Sequence, residues 1–155
     1  MTNRNKKRIV VAVSGGFDPL HIGHIRYFEA SRKLGDELVV ILNNDNWLME
    51  KKEYVFMPEQ ERKEILKALR VVDRVVLTSH TKNDPDRSVN RELRKIRPDI
   101  FSNGGDRKPT GDPVPEVSVC RELGIKMVYN LGRGGKVQSS SWLAQKLIEK
   151  RREGK

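Results

Sequence analysis

IVVAVSGGFDPLHIGH, residues 9–24, joins a strand, a glycine turn and the start of a helix within sixteen positions. The run from Ile9 to Val13 is aliphatic without alternation, as in a strand covered on both faces. Gly15 and Gly16 let backbone N–H groups approach an anion, and the following helix start adds the positive end of its dipole. His21 and His24 are three apart at that helix start, so they face the same way, toward the anion site. Gly23 between them lets a ligand lie close to the helix backbone.

Working outward, the spacing predicts a helix from about His21 to Leu34, its inner stripe Tyr27, Ala30, Ser31 and Leu34, with Gly35 as the stop. Residues 37–42 read as a second strand. Asn43, Asn44 and Asp45 then lead into an irregular stretch holding Lys51 and Lys52. Pro58 opens a helix with early acids Glu59 and Glu61 that runs to about Arg70, with Ile65 and Leu69 on one face. Strands at 74–78, 99–102 and 126–131 alternate with helices at 86–96, from Pro115 to Gly124, and from about Ser140. The pattern predicts an α/β chain: a single doubly wound (Rossmann-like) domain with a five-stranded parallel sheet. In such sheets ligands lie beyond the carboxyl ends of the strands.

The 155 residues suit one domain, with a basic tail at 1–8, the folded unit at 9–148 and a basic end at 149–155. The formal charge is +10, but residues 1–8 carry +4 and residues 146–155 carry +3, leaving +3 elsewhere. No aromatic-plus-basic stripe accompanies this charge, so nucleic acid is not an expected partner. The Ile9–Val13 run is too short to span a bilayer, and Asp18 and the histidines follow it too closely for a secretory signal. Neither a membrane nor export is expected. The lone Cys120 excludes an internal disulfide and a cysteine-based zinc site within one chain, and suits a reducing cytoplasm. The turn lacks the G-x-G-x-x-G spacing of dinucleotide folds, and a His–His metal site lacks further ligands.

GGFDPLHIGH resembles the HxGH signature of the nucleotidylyltransferase (cytidylyltransferase-like) superfamily. Class I aminoacyl-tRNA synthetases share a HIGH tetrapeptide, but this chain is too short for one and has no KMSKS-like segment. The segments LGDELVVILNND, PEQERKEILKALRVVDRVV and IRPDIFSNGGD, with the late serines, extend the resemblance over residues 9–148. They are similar to the small members that act on glycerol 3-phosphate and on heptose 1-phosphate. In that late segment the departure matters, because the family arginine falls at Gly134, and Arg133 and Lys136 are out of register.

The resemblance implies transfer of a nucleoside monophosphate from CTP or ATP to a small phosphorylated sugar, polyol or alcohol, with pyrophosphate released. An acceptor phosphate is already an anionic nucleophile, so catalysis reduces to alignment and charge stabilisation. It implies His21, His24, Lys51 and Arg62 as catalytic residues. Gly15, Gly16, Phe17, Arg70, Gly105, Asp106, Gln138, Ser139, Ser140 and Ser141 join the histidines around the nucleotide. Asp18, Asp45, Lys51 and Arg62 face the acceptor. Arg62 and Arg70, eight apart, should project from the same side of their helix. Asp18 has a turn role as its alternative, Asp45 and the serines a helix-capping role, and Lys51 and Lys52 a solvated loop. Magnesium is implied on the phosphates rather than on protein ligands, and a homodimer by family habit. Two other readings stand beside this one: an FAD- or coenzyme-A-pathway adenylyltransferase, and a non-catalytic domain binding nucleotide or RNA.

Overall fold

A computed structural model of the chain describes residues 5–104, 114–131 and 139–154. Five strands, β1 (Val10–Gly15), β2 (Glu37–Leu42), β3 (Arg74–Leu77), β4 (Ile100–Gly104) and β5 (Lys126–Leu131), form one parallel sheet in the order β3-β2-β1-β4-β5. Among the described residues six helices accompany them: α1 (Ile22–Arg32), α2 (Asp45–Lys52), α3 (Glu59–Ala68), α4 (Asn90–Ile96), α5 (Val117–Leu123) and α6 (Ser140–Glu153). The chain winds outward through β2 and β3, then returns to place β4 on the other side of β1. The order therefore reverses beside β1, and the β1–α1 turn lies at that switch point.

The absence of alternation has its expected cause. Val11 to Val13 and Leu38 to Leu42 are wholly buried, with apolar groups on both faces of the sheet. On one face Val11, Val13, Leu38, Val40 and Leu42 pack with Phe17, Tyr27, Phe28 and Leu66. On the other, Ala12, Ile41 and Phe101 pack with Val89, Leu93, Val119 and Cys120. Acidic residues hold the amino ends: Asp36 accepts from Ile9 N, Asp73 from Leu38 N and Asp99 from Val10 N.

Three local expectations need correction. The stretch after β2 is not irregular but the helix α2, capped by Asn44, whose side chain accepts from Trp47 N. The inner side of α1 is Tyr27, Phe28 and Ser31, with Ala30 only half-buried. In α3 the buried residues are Arg62 and Leu66, whereas Ile65 is 40% exposed, because a charged side chain takes the inner position. Two glycines act as stops by different means. Gly124 takes φ +68° beyond α5, while a Cβ at Gly35 would lie 2.7 Å from Ile9 O. Helix α6 runs through residue 149 to Glu153, so the basic end is largely helical. No helix among the described residues is long and apolar enough to cross a membrane.

Candidate active site

The turn after β1 is built around close packing. A Cβ at Gly15 would lie 2.8 Å from the Phe17 ring, and one at Gly16 would lie 2.8 Å from Leu48 of α2. Phe17 adopts φ +49° and buries its ring edge-on against His24, centroids 4.9 Å apart, and against Phe28. His21 caps α1. Its Nδ1 accepts from Gly23 N at 3.1 Å, and His24 Nδ1 accepts from His21 N at 3.2 Å. This is a capping box made by two histidines in place of the usual Ser or Thr with Glu. The imidazoles stack with centroids 3.7 Å apart.

The cap sets the protonation state. An Nδ1 that accepts a backbone N–H carries no proton, so the neutral ring carries its proton on Nε2 as a donor. Burial pushes His24 down from 6.5 to about 3, and the neighbouring His21 adds to the shift. His24 is therefore a neutral donor at physiological pH rather than a cation. A stability prediction follows from that depression. Between about pH 6.5 and 3 the unfolded chain binds the His24 proton more readily than the folded one. The contribution is present above 6.5 and is lost as pH falls toward 3, at up to about 1.4 kcal/mol per pH unit. Urea unfolding across that window should show the decline, and His24→Gln should flatten it.

Asp18 is buried and faces inward. Its carboxylate accepts from Phe56 N at 2.7 Å and Met57 N at 2.6 Å, and pairs with Lys52 Nζ at 3.0 Å. Lys52 also donates to Asp18 O at 2.7 Å. The turn role is thus the contact the structure gives Asp18, joining the start of α1 to the segment between α2 and α3. Of the adjacent lysines, Lys52 meets the turn. Lys51 is exposed, with its ammonium 5.3 Å from the Trp47 ring centroid.

Arg62 does not project toward open space. Its side chain is wholly buried, and Nε donates to Met57 O, Nη1 to Gly16 O and Asn43 O, and Nη2 to Asp45 Oδ1, at 2.6–2.8 Å. A guanidinium so engaged holds backbone in place rather than presenting donors to a phosphate. Arg70 is exposed and lies past the end of α3, so the two arginines do not share a side. Their eight-residue spacing fails because the helix ends at Ala68. Asp45 is the first residue of α2, its carboxylate on Arg62 and its N–H on Glu59 Oε2. The cap of α2 is Asn44, not Asp45.

Ser139 caps α6 by accepting from Trp142 N, and Ser140 Oγ donates to Pro19 O at 2.9 Å. That bond brings the late serine motif to the β1–α1 turn across 121 positions of sequence. Ser141 is exposed. Asn103 and Gly104 end β4 beside β1. Gly105, Asp106 and Gln138 lie outside the described residues, as do Gly134, Arg133 and Lys136. The structure thus brings together the turn, both histidines, Asp18, Lys52, Arg62, Asp45 and Ser140. Missed from sequence were the engagement of Lys52 and the carbonyls of Gly16, Asn43 and Met57 that Arg62 gathers. The one signal for them was the density of polar residues between 43 and 62.

A parallel sheet that reverses beside a glycine turn, with paired imidazole donors at the next helix start, defines a phosphate-handling α/β protein. Residues 12–119 match the cytidylyltransferase-like family model, and the chain belongs to this family. It is a nucleotidyltransferase. It is 39% identical over 146 residues to an FAD synthase of Thermococcus sibiricus, covering 93% of this chain and 95% of that protein. It is 34% identical over 143 residues to an FAD synthase of Thermoplasma volcanium, covering 91% and 95%. Among solved structures, a lipopolysaccharide core biosynthesis protein from Thermoplasma volcanium GSS1 superposes with TM-score 0.68 at 32% identity, over 83% of this chain and all of that one. A pantoate-beta-alanine ligase from Francisella tularensis superposes with TM-score 0.58 at 15% identity over 88% of this chain and 62% of that one, a likeness of fold alone.

Proposed function

We propose that this nucleotidyltransferase is an adenylyltransferase that joins the AMP of ATP to the phosphate of FMN, releasing pyrophosphate. The names of relatives matched over more than nine-tenths of both chains favour this acceptor over a simple sugar or polyol phosphate. The observation that carries the chemistry is the histidine capping box. It holds two neutral rings with Nε2–H donors at the start of α1, beside the glycine turn. Neutral donors stabilise charge that develops on the α-phosphate and pyrophosphate without drawing a proton from the nucleophile.

In this reading the acceptor phosphate attacks the α-phosphorus, the bond to the β-phosphate oxygen breaks, and pyrophosphate departs with the electron pair. Gly15, Gly16 and Phe17 form the turn beside which the triphosphate is placed, and the two glycines are required there by packing against Phe17 and Leu48. Arg62 keeps Gly16 in place against the end of β2, so it acts through the turn. In this reading magnesium is carried by the triphosphate, the usual way it meets nucleotide phosphates. When bound it neutralises phosphate charge. Lys52, whose ammonium is held at the turn by Asp18, is in this reading the lysine that faces the phosphates.

Lys52→Ala is expected to lower kcat/KM by about tenfold to a hundredfold, the size of a lost charged hydrogen bond. Lys51→Ala should stay within about twofold, because an exposed lysine contributes little. Equal losses in both variants, or none in Lys52→Ala, contradict this assignment. The function itself is tested by pyrophosphate release with four nucleoside triphosphates against FMN and a panel of sugar and polyol phosphates. ATP with FMN should give the highest kcat/KM; selective turnover of CTP with a sugar phosphate would refute the reading.

A further inference from the structure

Of the three histidines in the chain, His80 stands apart from the β1–α1 turn, and it is only 4% exposed. It lies in the segment 78–88 between β3 and α4. Buried polar groups are as a rule hydrogen-bonded, and both ring nitrogens of His80 have partners. Nδ1 lies 2.9 Å from Thr78 Oγ1, and Nε2 lies 2.9 Å from Ser88 O. A carbonyl only accepts, so Nε2 carries a proton and Nδ1 of the neutral ring is an acceptor. Thr78 Oγ1 already accepts from Asn44 N at 3.0 Å, and its hydroxyl hydrogen donates to Nδ1. A directed chain thus runs from Asn44 N through Thr78 and His80 to Ser88 O.

Asn44 is the cap of α2, and α2 depends on such bonds. The helix buries only Leu48, so apolar packing alone does not fix its position. Asn44 Oδ1 accepts from Trp47 N, which turns the amide nitrogen toward Thr78 O at 3.2 Å and His80 O at 2.8 Å. Asn46 Nδ2 donates to the same His80 carbonyl at 2.9 Å, and Trp47 Nε1 donates to Arg87 O at 2.9 Å. The segment that receives these bonds is itself braced. Asp84 accepts from Thr81 N, from Asp86 N and from both Nη atoms of Arg91 in α4, and Asp86 accepts from Ser88 N. His80 spans this frame: its carbonyl holds α2, and its ring ties residue 78 to residue 88.

We infer that His80 is a positioning residue for Lys52, acting through Thr78, Asn44 and the axis of α2. The ring fixes Thr78 and the His80 carbonyl, and these fix Asn44 and Asn46 at the start of the helix. Lys52 is the last residue of α2 and meets Asp18 at the β1–α1 turn. It lies about 9 Å along the helix axis from Asn46, so a tilt at the start displaces the ammonium at the end. A shift of about 1 Å in a group that aligns reactants is enough to slow a transfer severely. His80 itself touches none of the residues placed around the phosphates. The inference rests on the reading of Lys52 as the lysine that faces them.

The test is a double-mutant cycle on the full chain, with pyrophosphate release measured for whichever nucleotide and acceptor the wild type uses best. His80→Ala should lower kcat/KM by about tenfold in wild type and by less than about twofold in a Lys52→Ala background. His80→Asn, whose Oδ1 keeps an acceptor for the Thr78 hydroxyl, should stay within about threefold of wild type. Should His80→Ala not fold, Thr78→Val removes the same link at similar size and takes its place in the cycle. Independently of turnover, hydrogen exchange of the Asn44 amide should quicken by about tenfold in His80→Ala and little in His80→Asn. Equal losses of kcat/KM in both backgrounds, or none in a folded His80→Ala protein, overturn the inference, and so does unchanged exchange at Asn44. Failure of the Lys52 reading is seen separately, as wild-type turnover in Lys52→Ala, with the exchange result still deciding the link from His80 to α2.

Discussion

Replacement of His21 by asparagine is expected to leave a folded protein that no longer turns over, whereas glutamine at the same position retains part of the rate. The asparagine side-chain oxygen occupies the place of Nδ1, accepts from Gly23 N and preserves the cap on α1. It reaches no further, so the donor at the Nε2 position is lost. Glutamine places its amide nitrogen near Nε2 and weakens the cap instead. Alanine at His21 or His24 removes both roles. Turnover should fall by about 10²- to 10³-fold, as when a preorganised donor is deleted from a transition-state site. Stability should fall by about 1 kcal/mol, the usual cost of a lost cap. Pyrophosphate release and urea midpoints on the four variants separate these effects. Undiminished turnover in either alanine variant would remove the histidines from the chemistry.

Arg62→Ala should produce the largest loss of stability of any single substitution at the site. The side chain is wholly buried and ends on three backbone carbonyls and the Asp45 carboxylate. Removing it leaves those acceptors without their donor and opens a cavity the size of the side chain. Breaking a buried, hydrogen-bonded charge in this way costs about 3–5 kcal/mol. Arg62→Lys should recover only part of this, because an ammonium cannot span Met57 O, Gly16 O, Asn43 O and Asp45 at once. Asp45→Asn should cost less than either, since Asp45 is partly exposed and loses charge rather than the bond. Chemical denaturation gives the order. An Arg62→Ala protein as stable as wild type, with catalysis alone impaired, would mean that the guanidinium leaves its carbonyls and binds substrate.

The sheet was readable because its central strands are buried on both faces and therefore written as unbroken aliphatic runs. The histidine pair was readable because three-residue spacing at a helix start leaves one geometry. What escaped depended on the phase of a helix whose own pattern is faint. Only Leu48 of α2 is buried, so DNWLMEKK carries almost no periodic signal. Without α2 there is no way to tell which of Lys51 and Lys52 turns toward Asp18. Arg62 escaped for another reason. An arginine on a helix reads as solvent-facing, and its burial here is decided by carbonyls from three separate segments converging on it. The +10 charge offered less than it promised, as most of it lies at the two ends of the chain.

Mass spectrometry of the product from ATP and FMN, with the His24→Ala protein beside wild type, bears most directly on adenylyl transfer at the β1–α1 turn. Wild type should yield a species with the mass of FMN plus AMP less water, together with one pyrophosphate per adduct, and the variant should yield almost none. Formation of ADP and phosphate without an adduct, or an adduct from CTP with none from ATP, would contradict it.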